Sequence, residues 1–333
     1  MKKVISMCLS IILILILCYP AYAEFDFDNM KAERQIIQIK KWILDQKIPT
    51  NLNHSWGNAM IEYNCMLSSL EGEKYSHFTL RDNDHNYLGY IIANEKNEVF
   101  EFSFSLSPYE SYLKQGNLFY TPGYHMIQKG NALYPIIVKS SIESLSGQSN
   151  NHLNSVTSYP DYSKIISGVP DYTATTNIPC IPTAIGNAIG YWDTHGYPNL
   201  MTGTSQAMLT EITNLMGSNN QNSSVIKSTV EGYCHQNNRY PNHFTVTSIQ
   251  NPTFNQFKTQ IVHNRPTLVG FSTDFNGYNS NQNIAHMTTG VGYYYTLGST
   301  DRYIYVHDGW PTTAVDYFVK WGSYNDYIHT IVP

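Results

Sequence analysis

At Arg265-Pro266 the hydrophobic period of this 333-residue chain changes, and the change limits the folds open to it. Upstream, apolar residues recur at three and four positions: Ala184, Ile185, Ala188, Ile189 and Trp192, then Met208, Ile212 and Leu215, then Ile226, Val230 and Tyr233, then Phe254, Phe257 and Ile261. Each set makes one face of a helix. Downstream, the runs Thr267 to Ser272, Met287 to Tyr295, Tyr303 to His307 and Val315 to Lys320 have strand length and strand composition. Helices followed by strands predict an α+β arrangement. No sequence period of 20 to 50 residues is present, which excludes repeat architectures.

The N-terminal part has a different composition. Residues 24–150 carry 26 charged side chains, whereas 151–333 carry 17. Between Ser144 and Lys164 the sequence is polar, contains Gly147 and Pro160 and lacks periodicity, so it reads as an exposed linker between two domains. Ahead of it, Ile36, Ile39 and Ile43 predict a helix over about 29–46. Leu88 to Ala93 and Val99 to Phe104 predict a hairpin with one buried face, Phe100, Phe102 and Phe104 pointing in and Glu101 and Ser103 out. A small α+β domain is expected over 24–150, with no cluster of chemically useful side chains.

Residues 1–23 have the form of a secretory signal: Lys2 and Lys3, an apolar run from Ile11 to Leu17, and Ala21-Tyr22-Ala23 as a small-x-small cleavage pattern. The apolar run falls short of the roughly 20 residues that span a bilayer, so a secreted, extracellular product without stable membrane insertion is expected. Removing Lys2 and Lys3 makes the chain more acidic than its formal charge of −5, and no polybasic run is present for nucleic acid or lipid. Cys65, Cys180 and Cys234 remain, an odd number in an exported chain, which raises the prospect of a reactive thiol.

Cys180 is the best placed of the three. Pro182 suits the first turn of a helix, the apolar stripe from Ala184 to Trp192 follows, and Gly196 ends the run as a C-terminal cap. A thiol at a helix N-terminus faces backbone N–H groups and the positive end of the macrodipole, a setting that favours thiolate. An imidazole and a group that orients it would complete the activation. His286, opening the strand His286-Met287-Thr288-Thr289-Gly290, is the candidate imidazole, and Asp308, just beyond the strand ending at His307, is the candidate orienter. Two neighbouring antiparallel strands would bring them within reach. His307 is a rival imidazole on the opposite strand face from Asp308, and Asp316 a rival carboxylate. The other histidines show no zinc-ligand spacing, so no metal or other cofactor is expected.

Cys180-Ile181-Pro182-Thr183-Ala184, with Gly190-Tyr191-Trp192-Asp193 and Gly196-Tyr197-Pro198 after it, resembles the nucleophile helix of the C39-like group of papain-fold cysteine peptidases. Ala285-His286 ahead of Gly290-Val291-Gly292-Tyr293, and Val306-His307-Asp308, fit the same resemblance, which covers roughly 165–333. It implies a papain-like fold with a helical half and an antiparallel β half. Cys180 would attack a peptide carbonyl, His286 would carry the proton, Asp308 would orient His286, and a peptide or protein would be the substrate. Two residues depart from the pattern. Ile181 stands in place of the family's glycine, and the family's oxyanion glutamine, six positions before the cysteine, falls on Ala174; Asn177 or Thr175 are the nearest donors to replace it. The region 24–150 more loosely resembles propeptides of secreted bacterial cysteine peptidases, which implies an intramolecular inhibitor. Two other readings stay open: a catalytically silent papain-fold binding module, and a transglutaminase or cell-wall peptide hydrolase using the same three residues.

Overall fold

The computed structural model describes residues 31–45, 56–136 and 163–333, apart from 70–71, 105, 114–116, 122–123, 130–131, 176, 218–221, 237–238, 272–285, 296–299, 311–316 and 323–324. The signal-like segment, most of the Ser144 to Lys164 linker and Asp316 therefore lie outside the described residues.

Helix α1 occupies 31–45, matching the expected helix. Its buried Ile39 and Ile43 enter a core shared with Trp56, Phe78 and Phe102. Seven strands follow: β1 (Met60–Ser68), β2 (Lys74–Arg81), β3 (Tyr87–Asn94), β4 (Val99–Ser103), β5 (Leu118–Thr121), β6 (Tyr124–Lys129) and β7 (Ala132–Pro135). The hairpin β3–β4 is present, but both faces of β4 are covered: Glu101 and Ser103 are buried along with Phe102. The alternation was polar without being solvent-facing, because Glu101 receives the Tyr90 hydroxyl and the His125 ring, each at 2.7 Å.

The remaining elements are β8 (Ser163–Ile165), α2 (Cys180–Thr194), α3 (Ser205–Met216), α4 (Ser223–His235), β9 (Thr245–Gln250), α5 (Phe254–Val262), β10 (Thr267–Phe271), β11 (His286–Tyr295), β12 (Arg302–His307), β13 (Tyr317–Lys320) and β14 (Asn325–Val332). The four helices stand where the periodicity put them, and local chemistry fixes their ends. Thr204 caps α3 by accepting the Ala207 N–H at 3.2 Å, and Gly217 closes it at φ 68°. Thr253 and Gln256 form a reciprocal capping box on α5. The expected order of helices then strands is broken by β9, which precedes α5 and pairs with β14. Neither β9 nor β14 was anticipated, since each carries too many polar residues to stand out as an apolar run.

The result is a mixed α/β fold built on one large sheet with few helices. Strand order is β7-β6-β5-β1-β2-β3-β4-β13-β12-β11-β10-β14-β9, with β8 pairing off this path to β11. The N-terminal and C-terminal strands join at β4 and β13, where Phe318 lies opposite Phe102 and their rings stack with centroids 4.7 Å apart. Trp42 of α1 packs edge-on against both Phe102 at 5.4 Å and Tyr303 of β12 at 6.2 Å, so one apolar core continues across the junction. A second core lies between α2, α3, α4 and the strands β10 and β11, and this one positions the candidate site.

Candidate active site

Helix α2 is buried continuously from Cys180 to Tyr191. Such an all-round apolar helix belongs inside a fold rather than on it. Its N-cap is Pro179, extended at φ −75° and ψ 175°, which provides no side-chain cap. Thr183 turns back, donating its hydroxyl to the Pro179 carbonyl at 2.9 Å. The two glycines of the stripe make room for neighbours: a Cβ on Gly186 would collide with Leu209 of α3, and one on Gly190 would meet the Tyr172 hydroxyl at 2.8 Å. The helix thus presents Cys180, buried at 8% exposure, at its first position.

Strand β11 brings His286. The strand lies between β10, where Phe271 is opposite His286, and β12, where Thr289 is opposite His307. Continuing the β12 register past its end puts Trp310 across from His286, and the two rings stack with centroids 5.1 Å apart and planes at 26°. The imidazole is 2% exposed and hydrogen-bonds to the backbone carbonyl of Asp308. The Asp308 carboxylate, in turn, accepts the Trp310 N–H on Oδ1 at 2.9 Å. The two antiparallel strands therefore bring the His286 side chain to the main chain of Asp308.

The turn after β12 reaches the first turn of α2. Gly309, at φ 74°, is so close that a Cβ there would meet Thr183 Cγ2 at 3.0 Å, and Thr183 lies one helical turn from Cys180. Its carbonyl accepts the Ala174 N–H at 2.6 Å. Deeper in the core, Asn187 donates to Thr289 Oγ1 at 3.1 Å. That bond lies seven residues from Cys180 along α2 and three residues from His286 along β11.

Burial holds His286 neutral, its pKa pushed down to about 3; the bond to the Asp308 carbonyl works the other way, and the charge of His125 on β6 adds to the depression. A neutral imidazole can take a proton from a thiol but offers no positive charge to a thiolate. The rival His307 is also buried, held down to about 4, and donates Nδ1–H to the Pro170 carbonyl at 3.0 Å, a structural bond. Burial pushes Cys65 up to about 11 and Cys234 up to about 12, and no disulfide joins either of them to Cys180. His195 stacks on Tyr191 at 3.9 Å at the far end of α2.

Of the candidate oxyanion donors, Thr175 bridges Ile178 in a tight turn and accepts the Ile178 N–H on Oγ1 at 3.1 Å, while Asn177 is exposed within that turn. Ala174, in the glutamine's place, has its amide on Gly309.

The N-terminal half contains a buried polar cluster, contrary to expectation. Glu101 and His125 pair at 2.7 Å with both side chains almost fully buried. Beside them His77 Nε2 lies 2.7 Å from Ser107 Oγ, and His77 Nδ1 lies 3.0 Å from Asn64 Nδ2. The spacing imitates a serine nucleophile and its base, but the proton is on the wrong nitrogen. An amide that donates to Nδ1 leaves Nε2–H donating to Ser107, so the ring has no lone pair for the serine proton. Four strands and a turn supply these side chains, so no contiguous motif announces them; the one local signal is the unbroken burial of Tyr75 to Leu80 on β2.

A cysteine opening a buried helix, packed across a strand that opens with a buried histidine, is the framework of a thiol-dependent hydrolase. Residues 166–328 match the family model described as the Peptidase C39-like family, which assigns this part of the chain as C39-like. The assignment suggests a cysteine peptidase. Among solved structures, the chain is similar to the "putative C39-like peptidase from Bacillus anthracis", at 10% identity and a TM-score of 0.34, over 51% of this chain and 98% of that one. No curated protein matches the sequence.

Proposed function

We propose that the chain is the precursor of a secreted, papain-like cysteine peptidase in which Cys180 is the nucleophile, His286 the general base and acid, and Asp308 the residue that orients His286. The observation that carries this reading is the convergence of the first turn of α2, the start of β11 and the Asp308-Gly309 turn. Cys180 Sγ gives its proton to His286 and attacks the peptide carbonyl carbon. His286 returns the proton to the departing amine, leaving a thioester that a water molecule hydrolyses by the reverse route. The backbone N–H of Cys180 and the exposed Asn177 amide are the donors for the oxyanion.

The N-terminal half is then the inhibitory prodomain. Supporting this, the N-terminal half shares its sheet with the C39-like region through β4 and β13, and His286 is buried in the full-length chain. The silent-module reading is favoured by one observation, the Ala174 amide tied to Gly309 where a glutamine side chain is wanted. Losing one oxyanion donor costs roughly 100- to 1000-fold in rate.

Incubating purified precursor decides between them. Self-shortening within the Ser144 to Lys164 linker is expected, and hydrolysis of casein once the N-terminal half has been digested away; both vanish in Cys180→Ala. Casein hydrolysis that survives in Cys180→Ala, or its absence in the wild type freed of its N-terminal half, removes the peptidase reading.

A further inference from the structure

The mechanism above leaves several buried polar groups of the C39-like region without a role, and Asn187 is one of them. Asn187 lies in the middle of α2 at 0% exposure, on a helix otherwise filled by apolar and small residues. A buried amide is costly unless its hydrogen bonds are met, and alanine would serve the helix better. Its bonds are met by two separate segments. Oδ1 accepts the Tyr172 N–H at 2.9 Å, from the segment that leads to Ala174 and Thr175. Nδ2 donates to Thr289 Oγ1 at 3.1 Å, and the Thr289 hydroxyl donates onward to the Ala184 carbonyl at 3.3 Å. One strand residue thus grips α2 at two places a turn apart, which fixes both the rotation of the helix and its position along β11.

We propose that Asn187 is a positioning residue for the reaction: through Thr289 and Tyr172 it sets the alignment of the Cys180 helix with the His286 strand and with the segment that supplies the oxyanion donors. The inference rests on Cys180 and His286 being the reacting pair. It is specific about direction. Cys180, Ala184 and Asn187 recur on one face of α2, so a small rotation or slide permitted by losing the Thr289 bond moves the sulfur away from the ring. A displacement on the order of 1 Å is enough to cost about 100-fold in rate.

The test compares alkylation of Cys180 by iodoacetamide in the full-length chain, read by mass spectrometry as a ratio to Cys65, with the urea midpoint measured in parallel. Thr289→Val keeps the shape of the side chain and removes the hydroxyl; Thr289→Ser restores it. Ile185→Ala lowers stability by opening a cavity elsewhere on α2. The expected result is a fall of about 10- to 100-fold in the Cys180 ratio for Thr289→Val, recovery in Thr289→Ser, and a wild-type ratio in Ile185→Ala despite its lower midpoint. An unchanged ratio in Thr289→Val, or an equal fall in Ile185→Ala, overturns the positioning role. Alkylation of Cys180 that does not slow in His286→Ala overturns the catalytic pair itself, a failure distinct from that of the positioning role.

Discussion

His286 is held by the backbone carbonyl of Asp308, while the Asp308 carboxylate accepts the Trp310 N–H at 2.9 Å. The side chain that the sequence nominates as an orienter thus shapes the turn, and the main chain of the same residue meets the imidazole. The distinction has a measurable consequence. Asp308→Asn keeps both the carbonyl and an oxygen able to accept from Trp310, so peptidase activity should fall less than about tenfold. A carboxylate that directly sets the tautomer of a catalytic histidine loses on the order of 10⁴-fold on the same change. Casein hydrolysis by the two proteins separates these outcomes, and a loss near the larger figure would assign the orienting role to the carboxylate.

Trp310 gives a second prediction. Its ring stacks on His286 at 5.1 Å and screens one face of it. Trp310→Ala removes that cover and leaves the Trp310 N–H, and therefore the Asp308 turn, in place. His286 should then titrate closer to the ordinary histidine range than its present value of about 3. Histidine proton resonances followed from pH 3 to 8 report this directly; an unmoved titration would mean that burial by other neighbours sets the value.

What the sequence made legible was local. The helix carrying Cys180, its proline in the first turn and its glycine stop could be read from spacing, as could the apolar strands β10, β11 and β12 that carry His286 and lead to Asp308. What it concealed depends on residues far apart in the chain. Strands β9 and β14 looked too polar because His329 and Thr330 are buried against partners only the pairing supplies. Glu101 reads as a surface residue until Tyr90 and His125 arrive from β3 and β6. Asn187 passes for a neutral helix residue because Tyr172 and Thr289 lie 15 and 102 positions away.

Acid should destabilise the folded chain. Burial lowers His77 and His286 to about 3 and His307 and His329 to about 4. Below the ordinary value of about 6.5 the unfolded chain binds protons that these four rings refuse, so stability falls as pH drops from 6.5 towards 4 and is recovered above 6.5. Each ring contributes about 1 kcal/mol by pH 5.5, hence several kcal/mol together. The urea midpoint at pH 5.5 should lie well below that at pH 7.5, and equal midpoints would contradict four neutral, buried histidines.

The junction between β4 and β13 sets what a cut in the linker can accomplish. Removing a prodomain is usually pictured as release after cleavage, yet here the two halves share one sheet, with Tyr317, Phe318 and Val319 paired to Ser103, Phe102 and Glu101. Phe102 contacts Phe318, Trp42 and Tyr303, and Tyr303 donates its hydroxyl to the Val99 carbonyl at 3.1 Å. Cleaving the chain between 137 and 162 breaks none of these contacts. The two fragments should therefore elute together on size exclusion in native buffer and separate only in denaturant. Phe102→Ala, a large-to-small change worth about 3 to 5 kcal/mol in a packed core, should weaken that association and raise the accessibility of Cys180 in the cleaved protein. Separation of wild-type fragments immediately after cleavage would show that the shared sheet does not hold them, and full activation would then follow from the cut alone. If they stay together, the precursor reading requires a second event, the digestion or unfolding of the N-terminal strands, before a substrate gains the cleft.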